Sequence, residues 1–272
     1  MFKQGAREDR VTLVAHADTV FTGKRSLYGY GGFYDLQLDD ESPAFRPRQI
    51  DTRQGIASSI VNGQEIIHGT NPNVGIGADD RAGCAILWLL QNSGHNLLIT
   101  DAEEIGRIGA KYLMREHPAI IDEINKSRFA VEFDRRGADD YKCYEIPVED
   151  EFKKYIEAKT GFKDAGTFSV TDISELCKDI CGVNLSTGYY NEHTPRETLN
   201  VNQWLNTLNL IRNMLAEKIP TFSLDEQVRE RLRQQREMMY KRTWTFDDQE
   251  YQSLLIKYEM LKNDKGNDIS KS

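Results

Sequence analysis

Short apolar runs of β type alternate along this chain with stretches whose apolar residues recur at helical spacing. The β-type runs are 11–15 (VTLVA), 96–100 (NLLIT), 129–133 (FAVEF) and 183–186. The helical patterns are 82–91, 107–116, 150–159, 172–181 and 195–216. Strands that alternate with helices form mostly parallel sheets that are covered on both faces. We therefore expect an α/β fold, a three-layer sandwich around a mostly parallel mixed sheet.

Two local signals add detail to this expected fold. Asn62-Gly63 lies between two β-prone runs within 56–67, which predicts a hairpin with a tight turn. The last helical pattern opens with TPRE at 194–197, which fits a capping box with proline in the first turn. This pattern predicts that the helix begins at Pro195.

The chain continues beyond this α/β body. Pro220 closes the body, and two further helices are predicted over 224–241 and 246–262. The second carries an apolar stripe at helical spacing, formed by Tyr251, Leu254, Leu255, Tyr258 and Leu261. We expect one domain over 1–222 and a C-terminal helical extension over 223–272. The stripe would pack on the body or on a second copy of the chain, which would make the protein a homo-oligomer.

Charge and composition exclude several classes of function. The chain has 43 acidic and 35 basic residues and a net charge of −8. An acidic body argues against nucleic-acid binding, which depends on basic contacts to phosphates, and leaves room for a cation site. The longest apolar run, 84–90, is too short for a membrane helix, and the N-terminal residues lack a signal-peptide pattern. The four cysteines are too sparse for a disulfide scaffold. We expect a cytoplasmic protein with no nucleic-acid or membrane partner.

Side chains that bind metals or transfer protons follow the strands of the predicted sheet. They are His16, Asp18, Asp79, Glu103, Glu104, Asp134 and His193. Ligands of open α/β sheets bind at the carboxyl ends of the strands, so these groups should meet at one edge. Each one alone would more often be a solvated or structural side chain. Their coincidence at one edge predicts a metal site.

The order and spacing of these residues resemble the co-catalytic dinuclear zinc exopeptidases, which include aminopeptidases, peptidase T and acetylornithine deacetylase. The matching segments are HAD at 16–18, GADDRAG at 77–83, EEIGRIGA at 103–110, EFD at 132–134 and YYNEHTPRE at 189–197. The resemblance spans 11–216 and implies that 1–222 is a zinc-peptidase-like catalytic domain. Deacylase relatives insert a lid domain before the last histidine, but only 58 residues separate Asp134 from His193 here. We expect a lidless, open site.

The resemblance also implies two zinc ions per chain, with cobalt or manganese as substitutes. His16 and Asp134 would bind one ion, Glu104 and His193 would bind the other, and Asp79 would bridge them. Two metals held this way can share one hydroxide and polarise a carbonyl group.

The same resemblance implies roles for the residues beside these ligands. Asp18 would orient His16, and Glu103 would be the general base that takes the proton of the attacking water. The peptide bond between Asp79 and Asp80 should be cis.

These expectations predict a metal-dependent hydrolase of peptide bonds, preferably an aminopeptidase that acts on peptides or small amides. An open single-domain site suits a free peptide N-terminus, which carboxylates can hold. The alternative enzyme is a deacylase of N-acyl amino acids. The alternative of another class is a non-catalytic, protease-like binding protein.

Other candidate residues carry less weight. Arg135 and Arg136 follow a proposed ligand and could meet a substrate carboxylate, but surface ion pairs are favoured. Thr171 is expected to cap a helix rather than border the site. Tyr189 and Tyr190 are equally compatible with a pocket wall and with packing.

Overall fold

The computed structural model describes residues 1–20, 34–35, 48–49, 54–166 and 169–230. Contacts divide the chain into two units, Met1–Leu224 and Asp225–Ser272. In the second unit, residues 226–230 are helical. The rest of the predicted helices at 224–241 and 246–262, including the apolar stripe, lies outside the described residues. The organisation into domains at 1–222 and 223–272 stays a prediction.

The described part of the chain folds into strands and helices that alternate as expected. The strands are β1 (Phe2–Lys3), β2 (Thr12–His16), β3 (Tyr34–Asp35), β4 (Arg48–Gln49), β5 (Ile56–Val61), β6 (Gln64–Gly69), β7 (Asn96–Thr100), β8 (Phe129–Arg135), β9 (Asp140–Lys142), β10 (Lys163–Asp164), β11 (Cys181–Ser186), β12 (Tyr189–Tyr190) and β13 (Thr198–Asn200). The helices are α1 (Ala78–Leu89), α2 (Ile108–Glu116), α3 (Pro118–Asn125), α4 (Asp150–Thr160), α5 (Asp172–Leu176) and α6 (Val201–Ala216).

Seven strands form a central mixed sheet in the order β1–β7–β2–β8–β11–β9–β10. The four middle strands, β7, β2, β8 and β11, are all parallel to one another. Strand β1 pairs antiparallel with β7, and β9 pairs antiparallel with β11. The predicted mostly parallel mixed sheet is therefore confirmed.

Helices cover both faces of this sheet. One face packs residues such as Leu13 and Val131 against α1, α4 and α6, where Ile86, Phe152 and Ile211 are fully buried. The other face packs its side chains, including Val14, on α2, α3 and α5. The three-layer sandwich is confirmed. None of the described helices is long and apolar enough to cross a membrane.

A second sheet, in the order β12–β13–β6–β5, is antiparallel throughout. Its β5–β6 hairpin turns at Asn62 and Gly63, which both have positive φ (51° and 77°), as the tight turn requires. The predicted hairpin is confirmed. Strand β13 joins this sheet to the start of α6, so the sheet lies next to the loop that carries His193.

Two predicted helix boundaries are wrong. The helix predicted at 195–216 begins at Val201, because Thr198–Asn200 pairs with β6 instead of coiling, and Asn200 caps the helix by accepting the N–H of Gln203. The helix predicted at 172–181 ends at Leu176, and the chain enters β11 at Cys181. Helix α3 and the two- and three-residue strands were not predicted, since segments this short carry no clear periodicity.

Candidate metal centre

The predicted site residues meet at the carboxyl ends of the central parallel strands. His16 ends β2, Asp134 is the second-last residue of β8, and Glu103 and Glu104 lie just after β7. These three strands are neighbours in the order β7–β2–β8. Asp79 reaches the same place from the first turn of α1.

Two groups of nitrogen and oxygen atoms share the Asp79 carboxylate. His16 Nε2 lies 3.3 Å from Asp79 Oδ1 and 3.3 Å from Asp134 Oδ1. His193 Nε2 lies 3.0 Å from Asp79 Oδ2 and 2.7 Å from Glu104 Oε1. Each oxygen of Asp79 therefore faces a different histidine. The structure brings together all five residues that were expected to bind metal.

Asp18 connects the two acidic segments behind these groups. The Nδ1 atom of His16 lies 2.9 Å from the backbone carbonyl of Asp18 and 3.3 Å from its carboxylate. The same carboxylate accepts the backbone N–H groups of Glu103 and Glu104, each at 3.0 Å. When Nδ1 of His16 carries the ring proton and donates a hydrogen bond to Asp18, Nε2 is unprotonated. The lone pair of Nε2 then faces the carboxylates.

The turn that presents Asp79 has unusual backbone geometry. The peptide bond between Asp79 and Asp80 is cis, as the resemblance implies. The carboxylate of Asp80 accepts the backbone N–H groups of His16 at 3.1 Å and Gly83 at 2.9 Å. Asp80 offers an oxygen within 4.8 Å of the His16 and Asp134 ligand atoms, but both its oxygens are already bound by the backbone. We therefore regard Asp80 as a positioning residue and Asp79 as the better ligand.

Glu197 is a site residue that the sequence interpretation missed. It is 1% exposed and accepts the N–H groups of Gly77 at 2.6 Å and Asp79 at 3.0 Å. A Cβ atom at Gly75 would lie 2.7 Å from its carboxylate, so this close approach requires glycine. The TPRE pattern at 194–197 predicted a helix cap, but Glu197 instead fastens the His193 loop to the Asp79 turn.

Asp134 is positioned by several polar groups. Thr171 donates a hydroxyl hydrogen bond to its Oδ2 atom at 3.0 Å, and Tyr189 donates one to Oδ1 at 3.3 Å. Thr171 also caps α5, as expected, and does so in a capping box with Ser174. Tyr189 is buried against the site, whereas Tyr190 is exposed and donates to Gln203. Thr171 thus has both of the roles that were considered for it.

The electrostatics of the site reflect several carboxylates buried against one another. Burial and the neighbouring Asp79 raise the pKa of Asp134 to about 7. Burial, Asp134 and other carboxylates raise the pKa of Glu103 to about 9. Burial alone would lower the pKa of His193, but hydrogen bonds to Asp79 and Glu104 outweigh it and raise this pKa to about 10. Such a cluster attracts cations strongly.

The donor atoms suit divalent transition-metal ions. Imidazole nitrogen and carboxylate oxygen are ordinary zinc ligands, and a tetrahedral ion with ligands at about 2.0–2.1 Å separates neighbouring ligand atoms by about 3.3 Å. The 3.3 Å distances around His16 have this value. Asp79 Oδ1 is buried and has no hydrogen-bond partner among the described residues, so it is available for coordination. The residues present fit two ions bridged by Asp79.

These side chains line a cavity of about 430 Å³. Asp79, Glu103, Glu104, Asp134 and His193 all contribute to its wall. This volume lies within the usual range for small-ligand sites, about 300–1,000 Å³. A small substrate can therefore reach the carboxylates and the histidine together.

Comparison with known proteins identifies the fold. No protein-family model and no curated protein matches the chain. Among solved structures, the aminopeptidase APDkam598 from the archaeon Desulfurococcus kamchatkensis matches with a TM-score of 0.50 and 13% identity, over 81% of this chain and 82% of that chain. Aminopeptidase PepT from Bacillus cereus matches with a TM-score of 0.49 and 14% identity, over 77% and 81% of the two chains. The TET1 peptidase of Pyrococcus horikoshii matches with a TM-score of 0.48 and 16% identity, over 76% and 84%. The likeness to APDkam598 confirms the expected exopeptidase resemblance at the level of the fold.

Proposed function

We propose that this protein is a metal-dependent hydrolase of peptide bonds, and specifically an aminopeptidase. One observation carries the proposal: the Asp79 carboxylate faces His16 with one oxygen at 3.3 Å and His193 with the other at 3.0 Å. This is the arrangement that a bridging ligand needs. Its fold is shared with an aminopeptidase, which supports the same reading.

In this proposal two divalent ions are held by the five clustered side chains. His16 and Asp134 would hold one ion, Glu104 and His193 would hold the other, and Asp79 would bridge them. Zinc is the proposed metal, and cobalt or manganese could take its place. When bound, the ions supply Lewis-acid activation of a water molecule and of the substrate carbonyl.

Glu103 is the proposed general base. It lines the cavity beside Glu104 and Asp134, so its carboxylate faces the space that water and substrate enter. Glu103 takes a proton from water as the water oxygen bonds to the carbonyl carbon. It then passes that proton to the nitrogen as the C–N bond breaks. The products are a carboxylic acid and an amine, and the acid then loses its proton to give a carboxylate and an ammonium group.

The acidic character of the cavity wall favours a substrate with a free amine. A peptide N-terminus carries an ammonium group, which carboxylates near the scissile bond can bind by charge-assisted hydrogen bonds. An N-acylated substrate has no such charge. We therefore place cleavage of unblocked peptides ahead of deacylation. Five of the predicted site residues line one cavity, and His16 contacts two of them from behind, which argues for catalysis over simple binding.

The proposal is tested by metal analysis together with a substrate panel. Purified protein should contain about two equivalents of divalent metal and should cleave aminoacyl amides and dipeptides, but much less of their N-acetylated forms. Asp79→Asn should lose metal and activity, whereas the control Asp139→Asn, an exposed carboxylate that does not line the cavity, should keep both. Hydrolysis of N-acyl amino acids without cleavage of free-amine substrates would establish the deacylase instead. Absence of metal binding at micromolar concentrations would refute the proposal.

A further inference from the structure

One residue of the cavity wall, Tyr144, has no part in the mechanism proposed above. It lines the cavity together with Glu103 and Asp134 and is otherwise buried, with 5% of its surface exposed. Its backbone has a positive φ of 54°, a value that bulky residues rarely adopt. Backbone conformations of this kind are concentrated at functional sites. Tyr144 is therefore a candidate for direct contact with a ligand.

The orientation of the Asn184 side chain determines which hydrogen bond Tyr144 makes. Asn184 is fully buried on β11. Its Oδ1 atom accepts the backbone N–H of Asp134 at 2.9 Å, and its Nδ2 atom donates to the carbonyl of Asp134 at 2.9 Å. Exchange of the two amide atoms would set donor against donor and acceptor against acceptor, so this orientation is fixed. Nδ2 then donates its second hydrogen to the hydroxyl oxygen of Tyr144, at 2.9 Å.

The hydroxyl hydrogen of Tyr144 is left for another acceptor. A phenol group has one O–H donor, and its oxygen here accepts the hydrogen bond from Asn184. Among the described residues, none accepts the O–H hydrogen of Tyr144. Burial and the nearby carboxylates of Glu132 and Asp134 raise the pKa of Tyr144, so the phenol keeps this hydrogen at physiological pH. The side chain thus offers a donor at the wall of the cavity.

Other donors of the same wall are already bound to carboxylates. Thr171 and Tyr189 donate their hydroxyl hydrogens to Asp134. The two arginines are held in the ion pairs that were expected for them, Arg135 with Asp140 and Arg136 with Glu192. Tyr144 differs from these four side chains because its donor has no such partner among the described residues.

The position of this donor suits the carbonyl oxygen of a substrate. Asn184 Nδ2 bonds both the Tyr144 hydroxyl and the backbone of Asp134, so the hydroxyl lies beside Asp134, where the substrate carbonyl is proposed to react. A carbonyl oxygen accepts hydrogen bonds, and it accepts them more strongly as water adds and negative charge develops on it. The ammonium group of a peptide has no lone pair and cannot accept this hydrogen.

We infer that the hydroxyl of Tyr144 is a catalytic hydrogen-bond donor to the carbonyl oxygen of the bond that is cleaved. This inference rests on the proposed hydrolase function and adds a residue to it. Tyr144 keeps its proton throughout, and Glu103 remains the group that moves one. Because the oxygen carries more charge after water has added, the donor stabilises that state more than the bound substrate. Asn184 is the positioning residue that orients the donor.

Tyr144→Phe removes the hydroxyl and keeps the ring. With alanine amide as substrate, kcat should fall by about 10²–10³, the usual loss for one donor to a developing oxyanion, while KM changes little. Metal content should equal that of wild type. The matched control Tyr155→Phe also removes a buried hydroxyl without a described partner, but Tyr155 packs on Phe222 and does not line the cavity. This control should keep the wild-type kinetics.

Binding of a tetrahedral compound tests the contact without turnover. 1-Aminoethylphosphonic acid has a tetrahedral, negatively charged group where alanine amide has its carbonyl, whereas alaninol has the same amine and no charged oxygen. Calorimetric titration of the metal-loaded proteins should show that Tyr144→Phe weakens phosphonate binding by at least about tenfold and leaves alaninol binding unchanged. A variant that only distorted the site would weaken both.

The outcomes separate Tyr144 from the proposed function. If wild type cleaves no amide but Tyr144→Phe selectively loses phosphonate affinity, the donor assignment stands and the proposed function is wrong. If wild type cleaves amides and Tyr144→Phe retains both kcat and phosphonate affinity, the inference is overturned and the proposed function stands. Equal weakening of both compounds, or no phosphonate binding by wild type, would also overturn the inference.

Discussion

At the scale of single residues, Glu103 and Glu104 are adjacent in the chain but differ in their surroundings. Glu104 contacts His193 at 2.7 Å, whereas Glu103 lines the cavity without a histidine partner in the described contacts. Glu103→Gln should therefore lower kcat by about 10²–10⁴, the usual effect of losing a general base, and keep both metals. Steady-state kinetics and metal content of the purified variant check this prediction.

Glu104→Gln is the matched control for that prediction. It removes a ligand oxygen charge beside His193, so it should lose about one equivalent of metal. Equal loss of metal in both variants, or full activity in Glu103→Gln, would show that the two roles are assigned wrongly.

We expect His95 to make the free energy of unfolding depend on pH. It is 2% exposed, its Nδ1 atom accepts the N–H of Val11 at 2.9 Å, and burial with the nearby Arg7 lowers its pKa to about 4. An unfolded histidine has a pKa of about 6.5, so the unfolded chain binds the proton more tightly between these values. The contribution of His95 is full above about pH 6.5 and is lost as the pH falls toward 4, about 3 kcal/mol in total.

His95→Asn keeps an acceptor for Val11 but does not titrate. Urea unfolding of both proteins from pH 7 to pH 4 should show that wild type loses about 3 kcal/mol more than the variant over this range. Parallel pH profiles of the two proteins would contradict the assignment.

At the scale of elements, the long periodic segments were predictable and the short ones were not. The four central strands are continuous apolar runs, and Asn62-Gly63 determines its turn locally, so local sequence was sufficient for both. Residues Thr198–Asn200 form a strand only because β6 lies alongside, and no local pattern records that neighbour.

The residues of the candidate site divide in the same way, into those that local sequence predicts and those that only the tertiary fold determines. Strand-end histidines and carboxylates are visible in a sequence because sheet topology places strand ends together. The role of Glu197 depends on the approach of two segments 120 residues apart in the chain, through its bond to Gly77. The TPRE pattern around it is typical of a helix cap. Only the tertiary fold determines whether Glu197 caps a helix or binds the Asp79 turn.

Asn125 lies at the end of α3, a helix that the sequence did not predict, and we expect its side chain to stabilise the protein there. Its side chain donates to the carbonyls of Ile121 at 2.9 Å and Leu176 at 3.0 Å, and accepts the N–H groups of Lys178 and Asp179, both at 2.8 Å. Asn125→Ala should therefore destabilise the protein by about 2 kcal/mol, since several backbone groups lose their partner at once. The urea midpoint at constant m-value measures this cost.

Asn125→Asp serves as the control for this prediction. The carboxylate can still accept the two N–H groups but cannot donate, so its cost should be smaller than that of the alanine variant. An alanine variant as stable as wild type would show that the connection between α3 and the end of α5 does not depend on this side chain.

At the scale of the whole molecule, the segment beyond the body is proposed to be a separate helical extension that mediates self-association. Phe222 packs on Phe152 with ring centroids 5.1 Å apart and on Tyr155 at 5.0 Å, so the α/β unit needs its chain up to Leu224. A protein cut after Leu224 should fold, bind two metals and be monomeric, whereas full-length protein should be a homo-oligomer. Light scattering and metal analysis test both statements.

A second truncation, after Pro220, supplies the contrast. This truncation removes Phe222. The truncated protein should be about 3–5 kcal/mol less stable, as when other large aromatic side chains are removed from a core. If the protein cut after Leu224 has the same oligomeric state as the full chain, the extension does not mediate association.

The bond from Glu197 to the Asp79 turn has a consequence for the order of events during translation. A ribosome makes His16, Asp79, Glu104 and Asp134 well before it reaches His193 and Glu197. A domain generally folds as a unit, so a growing chain contains most of the proposed metal ligands before the loop that completes the domain exists. Glu197 then fixes the Asp79 turn at the same step that delivers His193. Under the proposed function, the nascent polypeptide would therefore stay inactive until this contact forms, and activity would begin only when the domain is complete.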